Sequence, residues 1–537
     1  MVDRPRKDLS RIKKWQNISG SKCFVSPYTD FVKLPAATTE TKPQIKYISV
    51  NRQQLCWTAL DLDRLIEEKH VARAIWEMVQ RVDVSKFERD AASWEGDGGR
   101  PCWPARVVMS VVLYGYSMGV ASARELERLQ KHEPGLRWLC ADQIINYHTI
   151  SDFRVRHEEA LQDLFAQILG VLSEEGMVDL GTVMVDGTKV EAVAGNGSYR
   201  RRGTLERHVE QAREKLKQWR EQTEQQREEQ DKRRHAARER AGRERVERME
   251  EALEVLKKLE EETSASKRDK LRVSETEAEA RKMMFPDGGW NLAYNVQVST
   301  EASHMVVVAV DVTTASNDLE QLEGAVETVE ANCGTKPKQV VADNGYATRH
   351  NVEKMEQAGV ELIAPWKSDE SREAGACRTN GIELEYGGSK FGPHPDGDGL
   401  VCKAGKKLVQ IGEKVHHGEQ RVIYEAAEAD CAQCEWRVGC CGKRGAARRV
   451  ERVKESESMQ KYLRRMGEEA TQELYKRRKE VAEFPHLWRK AVLGLRRFTV
   501  RGPTKARLEA IWIAISYNLS RWMCVRKGVA EAQGAGA

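Results

Sequence analysis

The sequence predicts an α/β protein: a mixed sheet with helices packed on it, preceded by an all-helical region and closed by an apolar helix. Three observations predict this. Residues from about 55 to 178 carry apolar side chains at helical spacing. From residue 182 short Val-rich runs alternate with helical stretches in the order strand, hairpin, helix, strand, helix, strand. The last periodic run, "KARLEAIWIAISYNLSRWM", is again helical and strongly apolar.

Taken in order, "LDLDRLIEEKHVARAIWEMVQRV" and "PARVVMSVVLYGYSMGVASARELERL" read as helices, the second with a proline near its start. "NYHTISDFRVRHEEALQDLFAQILGVLSEEG" offers Thr149, Ser151 and Asp152 as caps before an amphipathic run that ends at Gly176. "GTVMVDGTKVEAV" is a β-like run in which Asp186 and Gly187 fall where the apolar residues stop. A Pro-free stretch from Leu205 to Glu262, rich in Glu, Arg, Gln and Lys, has apolar residues too sparse for a heptad seam, so an exposed helical pair is expected. "AYNVQVST" and "HMVVVAVDVTT" then form a hairpin. A helix, the strand before Asp343, a helix from His350 to Ala358 and the strand "VELIAPW" follow. Residues 370–450 are rich in Gly and Cys, which indicates a small inserted module.

The chain has 537 residues, of which 40% are hydrophobic and 32% charged, enough for a sizeable core under a very charged surface. A net charge of +5 does not by itself imply an anionic partner. The cations are clustered, however, in "RPRKDLSRIKK", "KRGAARRVERVK" and "YKRRKE", a pattern suited to nucleic acid. No apolar run approaches the ~18 residues of a membrane span, and the charged start lacks the core of a secretory signal. Twelve cysteines then belong to a reducing cytosol, where clustered thiols bind metal more often than they form disulfides.

Asp186 and Asp343 occupy equivalent places, each following a short apolar strand. On neighbouring strands both carboxylates point into one cleft, where bare anions repel and a hard divalent cation relieves the repulsion. A third acid on a nearby helix completes a two-metal site for attack on a phosphodiester. Seen singly, Asp186-Gly187 and Asp343-Asn344-Gly345 also suit turns. Asp311, which follows another apolar strand, reads as structural.

These segments resemble the DDE transposases of bacterial insertion sequences, and the resemblance covers most of the chain. "LYGYSMGVASARELERL" and "NYHTISDFRVRH" are similar to the family's helical N-terminal domain, "VMVDGTKVEA" to the segment of its first aspartate, and "VVADNGYA" to that of its second. "YKRRKEVAEFPHLWRKAVLGLRRFTVRGPTKARLEAIWIAISYNL" resembles the final region, which carries the catalytic glutamate. Counting eight residues from Tyr475 reaches Glu483, with Glu480 as the competitor; seven further on, Lys490 takes the place of a basic residue that contacts DNA. The sequence departs from the family pattern in two places: Phe484 stands between Glu483 and Pro485, and "SETEAEAR" replaces an Asp-Pro-Asp-Ala segment.

The resemblance implies a ribonuclease H-like catalytic domain over 179–525, after a helical DNA-binding domain over 1–178. A charged helical insertion at 204–285, a cysteine-rich insertion at 370–450 and a flexible tail at 526–537 complete the expected layout. Asp186, Asp343 and Glu483 would hold two Mg²⁺ or Mn²⁺ ions. Cys402, Cys431, Cys434 and Cys440, with Cys441 as substitute, have the spacing to hold a structural Zn²⁺. Arg496, Arg497 and Arg501 around Phe498 suit phosphate contact with one aromatic anchor. The implied protein is a cytoplasmic, nucleoid-associated transposase that acts on terminal inverted repeats and target DNA, at least as a homodimer, with no membrane partner. Its rivals are a ribonuclease H-like nuclease that cuts without joining and a catalytically inactive, transposase-derived DNA-binding protein.

Overall fold

The computed structural model describes residues 59–89, 101–225, 229–367, 369–416 and 419–534. The basic N-terminal stretch and the first third of the 1–178 region lie outside them, as do residues 535–537. From residue 60 onward the chain begins with helices, the principal ones Val71–Gln80, Ala105–Ser117, Tyr147–Arg156 and Glu158–Glu174. Helix Ala105–Ser117 is buried over nearly its whole length, which explains its lack of a polar face. The first helix starts only at Val71, because His70 Nδ1 accepts the Ala72 N–H at 3.2 Å and fixes the start there.

Two further expectations change in this region. Asn146, not Thr149, Ser151 or Asp152, caps the third segment: its Oδ1 accepts the His148 N–H at 2.8 Å, which places all three expected caps inside the helix. The run is also two helices, broken at His157 where φ is −107° and ψ is 64°. It ends as expected at Gly176, whose φ of 74° suits glycine.

The sheet begins with β1 (Thr182–Glu191). After β2 (Tyr199–Arg200), the chain makes a two-helix hairpin from Arg202–Gln225 and Glu229–Glu262, then returns through β3 (Val273–Ser274), which pairs with β2. Ion pairs Arg202–Glu260, Arg213–Glu250 and Arg220–Glu239 show that the two long helices run antiparallel. Next come β4 (Arg281–Met284), β5 (Trp290–Glu301), β6 (Val307–Thr313), β7 (Gln339–Val341) and β8 (Glu361–Ile363). Because β4 pairs with β5, the last residues of the expected 204–285 insertion belong to the sheet.

The six-stranded sheet has the order β4-β5-β1-β7-β8, with β6 also paired to β5. β1 is antiparallel to β5 and parallel to β7, and β7 is parallel to β8. β1 does not stop at Asp186. Its pairing with β5 runs from Val183 to Glu191, whereas its pairing with β7 ends at Met184–Val341. One edge of β1 is therefore open from Asp186 until Glu191, which bridges to Arg497, and a cleft forms beside Asp186.

Residues 370–450 are more ordered than their composition predicts. β9 (Gly392–Pro393), β10 (Leu400–Val401), β11 (Lys407–His416), β12 (Glu419–Ala426) and β13 (Arg449–Val453) form an antiparallel sheet around Phe391, Leu408 and Val450. β11 leaves Val409, Ile411 and Val415 exposed, so its sequence carries no clean inside–outside alternation to announce the strand. Residues 526–534 of the expected tail continue the helix Pro503–Gly534, and 535–537 lie outside the described residues. This helix joins the helical region to the sheet. Trp512 Nε1 donates to the Arg154 carbonyl at 3.2 Å, and Asn518 bonds both backbone groups of Val307 at 2.8 Å. Among the described residues no helix is long and apolar enough to cross a membrane.

Gly187 is required by packing rather than by a turn. A Cβ there would stand 2.4 Å from Asp318 Oδ1 and 2.7 Å from Gln297 Nε2. Gly170, inside helix Glu158–Glu174, faces open space. Gly187→Ala should therefore cost about 1–3 kcal/mol, while Gly170→Ala should stabilise by roughly 0.5–1 kcal/mol. Denaturant midpoints of the two variants check this opposite pair of signs.

Candidate active site

Asp186 lies two residues beyond Met184 on β1, and Asp343 lies two residues beyond Val341, its partner on β7. The two carboxylates thus sit at one level where the parallel strands part. Asp343 also forms its own turn, Oδ1 accepting the Gly345 N–H at 2.7 Å. The turn and cleft readings of this segment are both met.

Helix Arg478–Leu487 crosses this opening. Val481 and Ala482 pack against Met184, Val341 and Ile363, which fixes the rotation of the helix over three strands. Asp186, Asp343, Glu480 and Glu483 all line the resulting cleft, about 990 Å³ in volume. Both glutamates are exposed. Glu483 is among the main negative charges acting on Asp186, and Glu480 is not. That difference favours Glu483.

Burial pushes the Asp186 carboxyl up to about 6, with Asp343, Glu483 and Asp318 adding repulsion and Arg478 opposing it. Arg478 Nη2 is 3.0 Å from Asp186 Oδ1 and 4.0 Å from Asp343 Oδ2. His486 Nε2 stands 3.7 Å from Asp186 Oδ2. Yet full burial, with Arg489 and Lys490 nearby, pushes the imidazole down to about 3. This contact is therefore not an ion pair at neutral pH. Lys490 Nζ donates to Thr188 Oγ1 at 2.6 Å on the same face of β1 as Asp186, and burial lowers its pKa.

Behind the cleft, Asp318 accepts from Asn295 Nδ2 at 2.6 Å and Gln297 Nε2 at 2.7 Å, and Tyr346 donates its hydroxyl to Gln297 Oε1. Arg478, His486, Thr188 and Asp318 were not singled out from the sequence. Arg478 sits in a run of like cations, Arg477 to Lys479, and only its facing toward the cleft distinguishes it.

The remaining basic candidates lie outside the cleft. Arg496 is exposed, Arg497 pairs with Glu191 at 2.8 Å, and Arg501 is exposed near Arg248. Phe498 is not an aromatic anchor for DNA. It is buried edge-on to Tyr294, because its N–H donates to the Glu191 carbonyl at 3.0 Å and lays the segment along the end of β1.

Cys402, Cys431, Cys440 and Cys441 share the small core of the second sheet. Cys434 is one turn on, its N–H donating to the Cys431 carbonyl at 3.3 Å, outside that core. Cys402 Sγ accepts the Lys406 N–H and Cys431 Sγ the Arg448 N–H, each at 3.4 Å. Burial pushes the Cys440 thiol up to about 12. Among the described residues no three His, Cys, Asp or Glu side chains are gathered into a shell that could hold a metal ion. In the cleft, Arg478 occupies the space between the aspartates. In the second sheet, Cys402, Cys431, Cys440 and Cys441 pack among the apolar side chains of its core.

Fold and site define a mixed α/β protein with a carboxylate-lined, cation-flanked cleft, consistent with a ribonuclease H-like DDE domain. Two family models match the chain: a transposase DDE domain over residues 401–523 and a transposase domain (DUF772) over residues 60–156. Both matches are to transposase domains, which supports a DDE transposase of the insertion-sequence type. The first match includes Glu483, Lys490 and the cysteines from 402 to 441; Asp186 and Asp343 lie outside both. No curated protein and no solved structure matches the chain.

The raised pKa of Asp186 sets a sign for stability. Between the ordinary carboxylate value and about 6, the folded state binds more protons than the unfolded state, so stability falls as pH rises through that window. In chelator-treated protein at pH 7.5, Asp186→Asn should therefore be as stable as wild type or more so, by up to about 3 kcal/mol. At pH 4 the advantage should vanish. Thermal melts at both values check it.

Proposed function

We propose that the protein is an active, metal-dependent DNA transposase that cuts the ends of its element and joins them to target DNA. The observation that carries this reading is the placement of Asp186 and Asp343 at one level of two parting parallel strands, with Glu483 in the same cleft. Burial first, and then the neighbouring carboxylates Asp343 and Glu483, raise the Asp186 pKa, and a bound cation would offset both. The donor set, all carboxylate oxygen, suits hard ions such as Mg²⁺ or Mn²⁺. When bound, two such ions activate the attacking oxygen and neutralise charge on the leaving one.

The chain's own residues do the rest. Asp186, Asp343 and Glu483 would hold the ions. Lys490, fixed by Thr188, presents a positive charge beside the scissile phosphate, and His486 stays neutral behind Asp186. Water first attacks the phosphorus at the element end and breaks the bond to the 3′-oxygen, which leaves as a hydroxyl. That hydroxyl then attacks a target phosphodiester and displaces its 3′-oxygen. Arg496, Arg497 and Arg501 serve phosphates along the flanking DNA. Paired ends require at least a homodimer.

Asp186→Asn, Asp343→Asn and Glu483→Gln should each lower end cleavage by about 10³-fold or more while end binding persists, a loss on the scale of removing a main charge-stabilising group. Glu480→Gln should retain cleavage. Full activity in any of the first three excludes that residue. A joining assay with pre-cut ends and plasmid target separates transposition from cutting alone: hydrolysis without joined product would favour the nuclease.

We also propose a structural Zn²⁺ held by Cys402, Cys431, Cys434 and Cys440, with Cys441 able to substitute. Three of the four already share one core, and two accept backbone N–H bonds of the kind that steady thiolates. Purified protein should contain about one zinc per chain, lost when Cys431 and Cys434 become Ser. The 370–450 module should then become protease-sensitive. Zinc-free protein with a protease-resistant module would refute this site.

A further inference from the structure

Arg478 stands where a metal ion shared by the two aspartates would have to be. Its guanidinium donates to Asp186 at 3.0 Å and lies 4.0 Å from Asp343, with only 11% of the side chain exposed. Magnesium binds carboxylate oxygen at about 2.0–2.1 Å. An ion at that range from both carboxylates and a guanidinium in its present position would occupy the same volume.

The grip on this position is one-sided. Asp186 supplies a single well-formed hydrogen bond, and the contact to Asp343 is long. The Arg478 Nε is buried with no hydrogen-bond partner, so leaving the pocket sacrifices no bond there. Arg478 is also the first residue of its helix, joined to helix Glu469–Lys476 through Arg477 alone. Arg477 is tied down separately, its Nη2 donating to the Ala302 carbonyl at 3.1 Å. The Arg478 side chain can therefore swing without moving the helix that carries Glu483.

We propose that Arg478 is the internal counter-cation of the Asp186–Asp343 pair, that it competes with divalent metal for these carboxylates, and that metal entry displaces it into the cleft. The inference rests on the metal-dependent reading above. With DNA absent, the arginine keeps two close carboxylates from repelling each other. Once displaced, its planar fork faces the open cleft, where it suits two oxygens of a phosphate. Metal loading and phosphate capture are coupled by one side chain: DNA that accepts the guanidinium should strengthen metal binding.

The test is a calorimetric titration of Mn²⁺ into the full chain without DNA, for wild type, Arg478→Gln and Arg478→Met. Each variant removes the competing charge, so Mn²⁺ should bind about tenfold tighter or more. The methionine variant keeps the buried stem and carries the test if the glutamine variant does not fold. Adding Asp343→Asn to each background identifies the heat that belongs to the cleft. Asp343-dependent binding that is unchanged or weaker in the Arg478 variants overturns the inference and leaves the metal reading standing. Absence of any Asp343-dependent binding in wild type and variants overturns both.

Discussion

Two carboxylates at one level of adjoining parallel strands repel each other, and the structure around Asp186 and Asp343 is arranged about that repulsion. Water alone does not screen it, because Asp186 is largely buried. Cations from separate elements answer it. Arg478 approaches from the helix over the cleft, Lys490 from the turn after that helix, and Lys189 from the opposite face of β1, where it stands 3.8 Å from Asp318. Burial lowers the pKa of both lysines while the acidic cluster raises it. The site is close to electrical compromise. That balance makes the carboxylates sensitive to any further cation.

Geometry of the helix over the cleft converts this electrostatics into a site. Val481 and Ala482 seal it to the sheet, so Glu483 must face outward along the cleft. Pro485 lies inside the helix and lacks the N–H that an unbroken helix would use. The next residues, Trp488–Val492, widen into a π-helical turn. Such turns shift the facing of later side chains. Here Lys490 reaches Thr188, two residues along β1 from Asp186. The long C-terminal helix then fixes the sheet to the helical region, with Glu509 accepting from Tyr116 and from the Thr499 N–H. Three distant parts of the chain are thereby held against one core.

Much of this order is legible in the sequence because β-branched runs and helical periodicity are local signals. Val340, Val341 and Ala342 announce a buried strand whatever they pack against, and "HMVVVAVDVTT" does the same. Ends and partners are less legible. β1 continues past Asp186 because β5 pairs with it, and β5 lies a hundred residues away. Asn146 outcompetes Thr149 as a cap for reasons of local geometry that composition does not separate. The second sheet is less legible because β11 exposes Val409, Ile411 and Val415, which breaks the apolar–polar alternation that marks a half-buried strand. At the site, Asp186 and Asp343 could be read because both follow short apolar runs, and Glu483 only through its register in the resembling C-terminal segment. Arg478 could not, since one arginine among four consecutive cations acquires meaning only from the direction it faces.

A net charge of +5 over 537 residues is nearly neutral, yet the cations cluster in a few stretches. The cleft itself is lined by both signs, Asp186, Asp343, Glu480 and Glu483 beside Arg478, Lys479, Lys490 and Arg521. Such an arrangement attracts polyanions weakly at a distance and strongly at close range, because screening removes the far field within about 8 Å at physiological salt. On the proposed reading, phosphates meet Arg496 and Arg501, outside the cleft, first. They then come to a floor whose carboxylates Arg478 neutralises only in part. On that reading the outer cations would bring DNA to the cleft whether or not the site is loaded, but a phosphate would settle against Asp186 and Asp343 only once metal adds further positive charge there. Binding and chemistry are thus separable by design of the charge pattern. On the proposed reading, such local clustering of cations is how a chain of near-zero net charge would serve a uniformly anionic substrate.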